Sequence, residues 1–286
     1  MQLQLENVNY VYEPGTAFEK KALTDINLGF EKGEFVAVIG HTGCGKSTLI
    51  QHFNGLVKPT SGRVLFEDED INAPNYNRKV LRGKVGLVFQ YPDHQLFEES
   101  IYKDVAFGPS NFLTDKEEID RRVRTALEMV GIPEEDYEKS PFQLSGGQKK
   151  RVTIAGVIAM QPEVLILDEP TAGLDPVGRE EILESIRKIH RETNCTIIWV
   201  SHNMEHVARF AERIIVLGGG KVIYDDIPKR VFMKYKDLER IGLRAPEVTY
   251  IMHRLASAGV TVDTNCIRVS EAADNLLGIL GNNRQE

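Results

Sequence analysis

Four short, almost uninterrupted apolar runs punctuate the chain: Phe35-Val-Ala-Val-Ile39, Val85-Gly-Leu-Val-Phe89, Val164-Leu-Ile-Leu167 and Thr196-Ile-Ile-Trp-Val200. Longer amphipathic stretches separate them. Runs of this kind predict buried strands of a parallel sheet covered on both faces. Two of them lead straight into polar turns, at Gly40 and at Asp168, where an open α/β sheet is expected to hold a ligand. The N-terminal stretch reads differently. Leu3 to Val8 alternates, Asn27 to Phe30 is short, and Gly62 to Phe66 follows a Pro59-Thr-Ser-Gly62 turn, so a small antiparallel layer is expected there.

Residues 98–160 carry little strand pattern and read as a helical insert. Thr114-Asp-Lys-Glu117 predicts a capping box at a helix start. Ile119, Val123, Leu127 and Val130 then recur at helical spacing, and Gly131 and Pro133 end the helix. Asp175-Pro176 predicts another start, with Asp as N-cap and Pro at the first position. Glu180 and Glu181 are expected in its first turn, and His190 and Arg191 in its last. Arg213 to Leu217 and Lys221 to Tyr224 flank Gly218-Gly-Gly220, a hairpin pattern. Beyond 230, Val248 to Leu255 reads as helix and Ile267-Arg-Val269 as a short strand. The tail Gly281 to Glu286 reads as disordered.

Composition narrows the class. With 42% hydrophobic residues, 286 residues can bury a sizeable core. The net charge of −7 makes a general nucleic-acid binder a poor fit, because phosphate-backbone affinity rests on Lys and Arg. Cys44, Cys195 and Cys266 are widely spaced and form neither a disulfide framework nor a metal motif, which suits a reducing cytoplasm. No signal peptide and no apolar stretch of membrane-spanning length is read, so membrane association is expected to run through partners.

Gly40-His-Thr-Gly-Cys-Gly-Lys-Ser47 fits a phosphate-binding loop between a strand and a helix read from Ser47 to Asn54. Glycines let backbone N–H groups curl round a phosphate; Lys46 brings charge to the terminal phosphates and Ser47 a hydroxyl for Mg²⁺. Val164 to Asp168-Glu169 supplies the complement: Asp168 to hold Mg²⁺, directly or through water, and Glu169 to polarise an attacking water. Leu144-Ser-Gly-Gly-Gln148 opens a further helix, read as Gln148 to Met160, and is a second anion-binding helix N-terminus.

These motifs, with Gln90 after the second strand, Gly173-Leu-Asp175, and His202 after Val200, resemble ABC-type ATPases over residues 1–230. The resemblance implies an α/β P-loop NTPase with a RecA-like core, an antiparallel β layer, a helical subdomain and a small C-terminal domain at 231–286. It implies ATP and Mg²⁺ as ligands. ATP would contact Gly40, His41, Thr42, Gly43, Cys44, Gly45, Lys46, Ser47, Thr48 and Gln90. Tyr12 would stack on adenine, with Tyr10 or Phe18 as alternatives. Ser47, Gln90 and Asp168 would hold the metal, and Glu169, His202 and Lys46 would be catalytic. Leu144, Ser145, Gly146, Gly147, Gln148 and Asp175 would act in trans on a partner's nucleotide, in a head-to-tail dimer.

Pro92-Asp-His-Gln-Leu-Phe97 and Asp104-Val-Ala-Phe-Gly108 are similar to runs found in the ATPases of energy-coupling factor (ECF) transporters, and the loop sequences look more like the second paralogue. That implies a heterodimer with a related ATPase, a transmembrane T-component, a substrate-binding S-component, and a peripheral place on the cytoplasmic face of the cell membrane. An exposed Leu96-Phe97 pair would suit a docking groove for a helix; the alternative places both in the core. Rival readings are an ordinary ABC importer ATPase, a DNA-repair or chromosome ATPase, and a translation factor. The gap between the two phosphate-binding elements holds no heptad run, and a single phosphate loop does not match the tandem domains of the translation factors.

Overall fold

The computed structural model describes residues 1–282. Its strands are β1 (Leu3–Tyr12), β2 (Lys20–Phe30), β3 (Phe35–Gly40), β4 (Ser61–Phe66), β5 (Glu69–Asp70), β6 (Val85–Val88), β7 (Val164–Asp168), β8 (Thr196–Val200), β9 (Arg213–Gly218) and β10 (Lys221–Asp226). The helices are α1 (Lys46–Phe53), α2 (Arg78–Lys84), α3 (Ile101–Ser110), α4 (Lys116–Met129), α5 (Gly146–Ile158), α6 (Pro176–Thr193), α7 (Met204–Phe210), α8 (Pro228–Phe232), α9 (Tyr235–Arg240), α10 (Glu247–Ser257) and α11 (Val269–Asn282). Two compact units result, one of residues 1–35 and 47–200, the other of 36–46 and 201–286.

In the first unit β6, β7 and β8 pair in parallel, with Val85 opposite Val164 and Val164 opposite Thr196. Every residue of these three strands is buried, which is why their sequences are apolar throughout rather than alternating. Trp199, fully buried, packs edge-on to Phe35 at 6.1 Å. The expected antiparallel layer is present, in the order β2-β1-β4-β5. Gly62 sits there with φ +88, and a Cβ on it would lie 2.3 Å from the Asn7 carbonyl oxygen.

Residues 98–160 hold α3, α4 and α5, short 3₁₀ turns and no strand. Val123 and Leu127 are buried along α4, Val130 is buried at its C-cap, and Gly131 (φ +70) follows. The N-cap of α4 is Asp115 rather than Thr114. Its carboxylate accepts from Glu117 N at 2.9 Å and Glu118 N at 3.4 Å, and a charged acceptor suits the positive end of a helix better than a hydroxyl. Asp175 caps α6 as expected, accepting from Gly178 N at 2.8 Å, with Pro176 next. The first turn of α6 carries no acidic residue, so Glu180 and Glu181 fall one turn later than expected.

In the second unit β9 lies between β3, to which it is parallel, and β10, to which it is antiparallel. Gly219 and Gly220, both at positive φ, make the turn of the β9–β10 hairpin. The C-terminal helices pack a small core of Val248, Met252, Cys266 and Ala272. No strand forms at 267–269. Ile267 N and Arg268 N instead donate to the Glu271 carboxylate, at 3.0 and 3.2 Å, so this segment is the entry to α11. Gly281 and Asn282 belong to α11, against the expected disorder, and 283–286 lie outside the described residues.

Candidate functional site

The phosphate-binding loop follows β3. Gly43 and Gly45 take φ +79 and +108, which side chains resist, and a Cβ on Gly40 would meet the Leu217 carbonyl oxygen at 2.5 Å. Lys46 is buried, and its Nζ donates to the carbonyls of Gly40 (2.7 Å) and His41 (3.1 Å). Nζ also lies 3.9 Å from Cys44 Sγ, a weak acceptor, so the amine is threaded through the loop by fixed main-chain acceptors and one soft contact that an anion could replace. Gly220 N donates to Cys44 O at 3.1 Å and ties the loop to the hairpin turn. Cys44 itself is buried and reduced.

Tyr12 closes β1, 40% exposed. Its hydroxyl pairs with Thr48 Oγ1 at 2.8 Å and its ring stands edge-on to Tyr10 at 4.8 Å. Tyr10 in turn stands edge-on to His52 at 5.1 Å. His52 is completely buried; burial pushes its pKa down, so the neutral ring donates from Nδ1 to Thr48 O at 2.7 Å. This chain of contacts holds the Tyr12 ring still while leaving part of it in solvent, as a stacking platform requires.

At the carboxyl end of β7, Asp168 is buried and Glu169 half-buried. Glu169 sits at φ +47, a conformation that costs a bulky L-residue on the order of 1–3 kcal/mol. Its N–H donates to Val200 O at 3.1 Å. Gln90 Nε2, arriving from the end of β6, donates to Glu169 Oε2 at 3.3 Å. That leaves the Gln90 amide oxygen as an acceptor. Together with the Ser47 hydroxyl and the Asp168 carboxylate it would offer oxygen donors only. Such a set fits Mg²⁺, which prefers hard oxygen ligands and retains water or phosphate oxygens in its other positions.

His202 is exposed, in a turn that Ser201 and Asn203 fix: Ser201 Oγ accepts from Asn203 N at 3.1 Å, and Asn203 caps α7 through His206 N at 2.8 Å.

Ser145 caps α5 in a full capping box. Its Oγ accepts from Gln148 N at 3.3 Å, and Gln148 Oε1 accepts from Ser145 N at 3.0 Å. The box begins the helix at Gly146, two residues earlier than expected. Helix geometry leaves the Gly146 and Gly147 N–H groups without intrahelical acceptors, and the serine O–H remains a donor. Ser145 and Gly146 are exposed, and a Cβ on Gly146 would touch nothing within 4 Å. Leu144 precedes the box half-buried, while Gly173 (φ +76) and Asp175 are exposed at the start of α6.

Three residues that the sequence reading did not single out as site residues matter here. Gln95 pins the exit of β6, accepting from Phe89 N at 2.8 Å and donating to Leu87 O at 3.3 Å. Asp104, buried, accepts from Phe97 N and Glu98 N at 2.8 and 2.9 Å. The two sequence runs around Gln95 and Asp104 are thus parts of one loop support. Lys150, buried in α5, donates to the main-chain carbonyls of Gln90 (2.9 Å) and Glu169 (3.1 Å). Burial pushes its pKa down while the Glu169 and Asp168 carboxylates act to raise it. A lysine one turn from Ile154 and two from Val157, on the apolar stripe of a helix, was the available signal.

The Leu96-Phe97 pair divides. Leu96 is buried and Phe97 is 56% exposed, edge-on to Phe107 at 4.8 Å. Both line an open groove of about 680 Å³ with Phe107, Phe112, Val157 and Met160, rimmed by Lys79 and Arg82.

A family profile described as ABC transporter matches residues 23–172. An energy-coupling factor transporter ATP-binding protein EcfA2 from Clostridium tetani is 54% identical over 99% of this chain and 98% of its own length. The protein of the same name from Clostridium perfringens is 53% identical over 99% of this chain and all of its own length. The chain belongs to the ATP-binding subunits of energy-coupling factor ABC transporters. ECF-type ATPases hydrolyse ATP, and so the ABC P-loop fold and ATPase activity hold for this chain. Among solved structures, cbiO1 from Clostridium perfringens, part of the ABC transporter complex cbiONQ, aligns with TM-score 0.75 at 43% identity, covering 88% of this chain and 98% of its own. A dimeric ATP-binding cassette in a post-hydrolysis state with ADP and Pi aligns with TM-score 0.71 at 32% identity, covering 79% of this chain and 98% of its own. Among the described residues no helix is long and apolar enough to cross a membrane.

Proposed function

We propose that this ECF-type ATPase works as one half of a nucleotide sandwich, with the sites assigned as follows. Residues 1–230 form the nucleotide-binding domain, with the helical insert at 98–160, and 231–286 form an accessory domain that helps hold two ATPases together. ATP lies along Gly40 to Thr48, with adenine on Tyr12 and the terminal phosphates at Lys46. Mg²⁺, held by Ser47, Gln90 and Asp168, supplies neutralisation of phosphate charge when bound. Glu169 and His202 orient the attacking water, and Gln90 links that carboxylate to the loop that meets the membrane partner. The observation that carries this reading is the Gln90 Nε2 contact with Glu169 Oε2 at the mouth of the parallel strands.

The trans arrangement is supported by Gly146. Its own chain does not need a glycine there: no Cβ clash and no positive φ demands one. A residue kept small without internal cause leaves room for something outside the chain. Ser145, Gly146 and Gly147 then present donors to the phosphates of a paralogous partner's nucleotide, flanked by Leu144, Gln148 and Asp175.

The groove beside Phe97 is proposed to receive a coupling helix of the T-component, with an S-component supplying the substrate, a vitamin or other micronutrient. Association is at the cytoplasmic face of the cell membrane, through these partners. Phe97→Asp should leave hydrolysis by the soluble ATPases within about twofold of normal while substrate uptake by cells or vesicles falls on the order of tenfold or more, because a desolvated carboxylate opposes helix docking. Unchanged uptake would remove the groove from coupling. Mass spectrometry of what co-purifies from detergent-solubilised membranes tests the partner set.

Tyr12→Ala should weaken ATP binding about tenfold, the scale of one base–aromatic stack, with kcat at saturating ATP little changed. Equilibrium binding of a fluorescent ATP analogue reads it. An equal effect at Tyr10 or Phe18 instead would move the adenine platform to that residue.

A further inference from the structure

Two lysines are buried among the described residues, Lys46 and Lys150. The first is the phosphate-loop lysine; the second has no part in the mechanism above. Removing an ammonium from water costs several kcal/mol unless fixed acceptors offset it. Here the acceptors are main-chain carbonyls of two different loops: Gln90 O at 2.9 Å and Glu169 O at 3.1 Å. Neither loop belongs to the helix that carries Lys150. Ser145 caps α5, so one helix bears the trans phosphate-binding element at its N-terminus and, on its second turn, a clamp on both the γ-phosphate sensor and the water-polarising residue.

Glu169 makes the clamp consequential. Its positive φ is a strained state that persists only when the surroundings fix it. Bonds of its main chain help do so: its N–H donates to Val200 O, and its carbonyl accepts from Ala172 N at 3.1 Å and from Lys150 Nζ at 3.1 Å. The Ala172 bond is local to the turn; the Lys150 bond is the one that ties this carbonyl to α5, and without it the strained main chain at Glu169 loses its link to that helix. Lys149, adjacent, reaches Asp93 Oδ1 at 2.6 Å in the segment beyond Gln90, so α5 grips this segment at two points.

The geometry points to Lys150 as a positioning residue: from the helix opened by Ser145 it sets the main chain of Glu169 and Gln90, so that closure of the partner on α5 is transmitted to the attacking-water position. The inference rests on the assignment of Glu169 as the residue that polarises water.

The test is a double-mutant cycle in the assembled complex, with the partner ATPase's own site inactivated. Lys150→Met keeps the stem and removes every donor; Lys150→Gln keeps an N–H donor without charge. kcat should fall at least about tenfold for Lys150→Met with KM for ATP within about threefold, and Lys150→Gln should fall between it and wild type. In a Glu169→Gln background, followed by single-turnover hydrolysis, Lys150→Met should add less than about threefold, since both changes disable one device. Full kcat in a folded Lys150→Met enzyme, a loss confined to KM, or an undiminished loss in the Glu169→Gln background would each overturn the inference. Should Lys150→Met fail to fold, as its melting curve would reveal, Lys150→Gln carries the same cycle. Near-normal turnover of Glu169→Gln alone sinks the assignment of Glu169, a separate result from any of these.

Discussion

Glu169→Gln is expected to slow ATP hydrolysis at least about 100-fold while leaving ATP binding intact. Glutamine is isosteric, and its amide oxygen can still accept the bond that Gln90 Nε2 now gives to Glu169 Oε2 at 3.3 Å. The backbone bond to Val200 O is untouched, as is the Lys150 contact. What disappears is the basic oxygen proposed to polarise water. None of the proposed binding elements changes: the loop glycines, Lys46 and Tyr12 lie elsewhere in the chain. Single-turnover hydrolysis measured beside nucleotide affinity separates the two quantities. Turnover near normal would take Glu169 out of its role.

Gly146→Asp carries the second large effect, and here folding and function are expected to part. A Cβ at Gly146 meets open space, and an acidic residue in the first turn of α5 complements the helix dipole by about 0.3–1 kcal/mol. The melting temperature of the chain should therefore hold or rise slightly. Hydrolysis at the nucleotide that this element closes should fall on the order of 100-fold, because a carboxylate now faces phosphate where N–H donors stood. Turnover of the assembled ATPases and thermal denaturation of the single chain read the two halves. A stable variant with undiminished turnover would mean that no phosphate approaches Gly146.

Much of this architecture was legible because its residues are constrained by local physics. β6, β7 and β8 are apolar throughout since both their faces are covered. The phosphate loop shows in its glycines, two of which adopt positive φ. Asp175-Pro176 marks the start of α6 through chemistry contained within one turn. Harder to read were contacts in which a side chain serves a distant main chain. Lys150 looks like any helical lysine until its acceptors, at Gln90 and Glu169, are brought beside it by the tertiary fold. Gln95 and Asp104 fall within the two family-like runs, but that they brace one loop depends on N–H groups that carry no sequence signature. The Leu96-Phe97 pair divides for a related reason: in an irregular loop neither period 2 nor period 3.6 assigns neighbouring side chains to faces. At 267–269 the Ile-Arg-Val alternation read as strand forms none, and the Glu271 carboxylate accepts from its N–H groups at a helix start.

The proposed trans completion of the site is tested most directly by diluting the assembled ATPase pair, free of membrane partners, and following the hydrolysis rate per chain at saturating ATP. If each nucleotide needs donors from a second chain, that rate falls as ultracentrifugation shows the pair coming apart. A constant rate at concentrations where only single chains remain would contradict it.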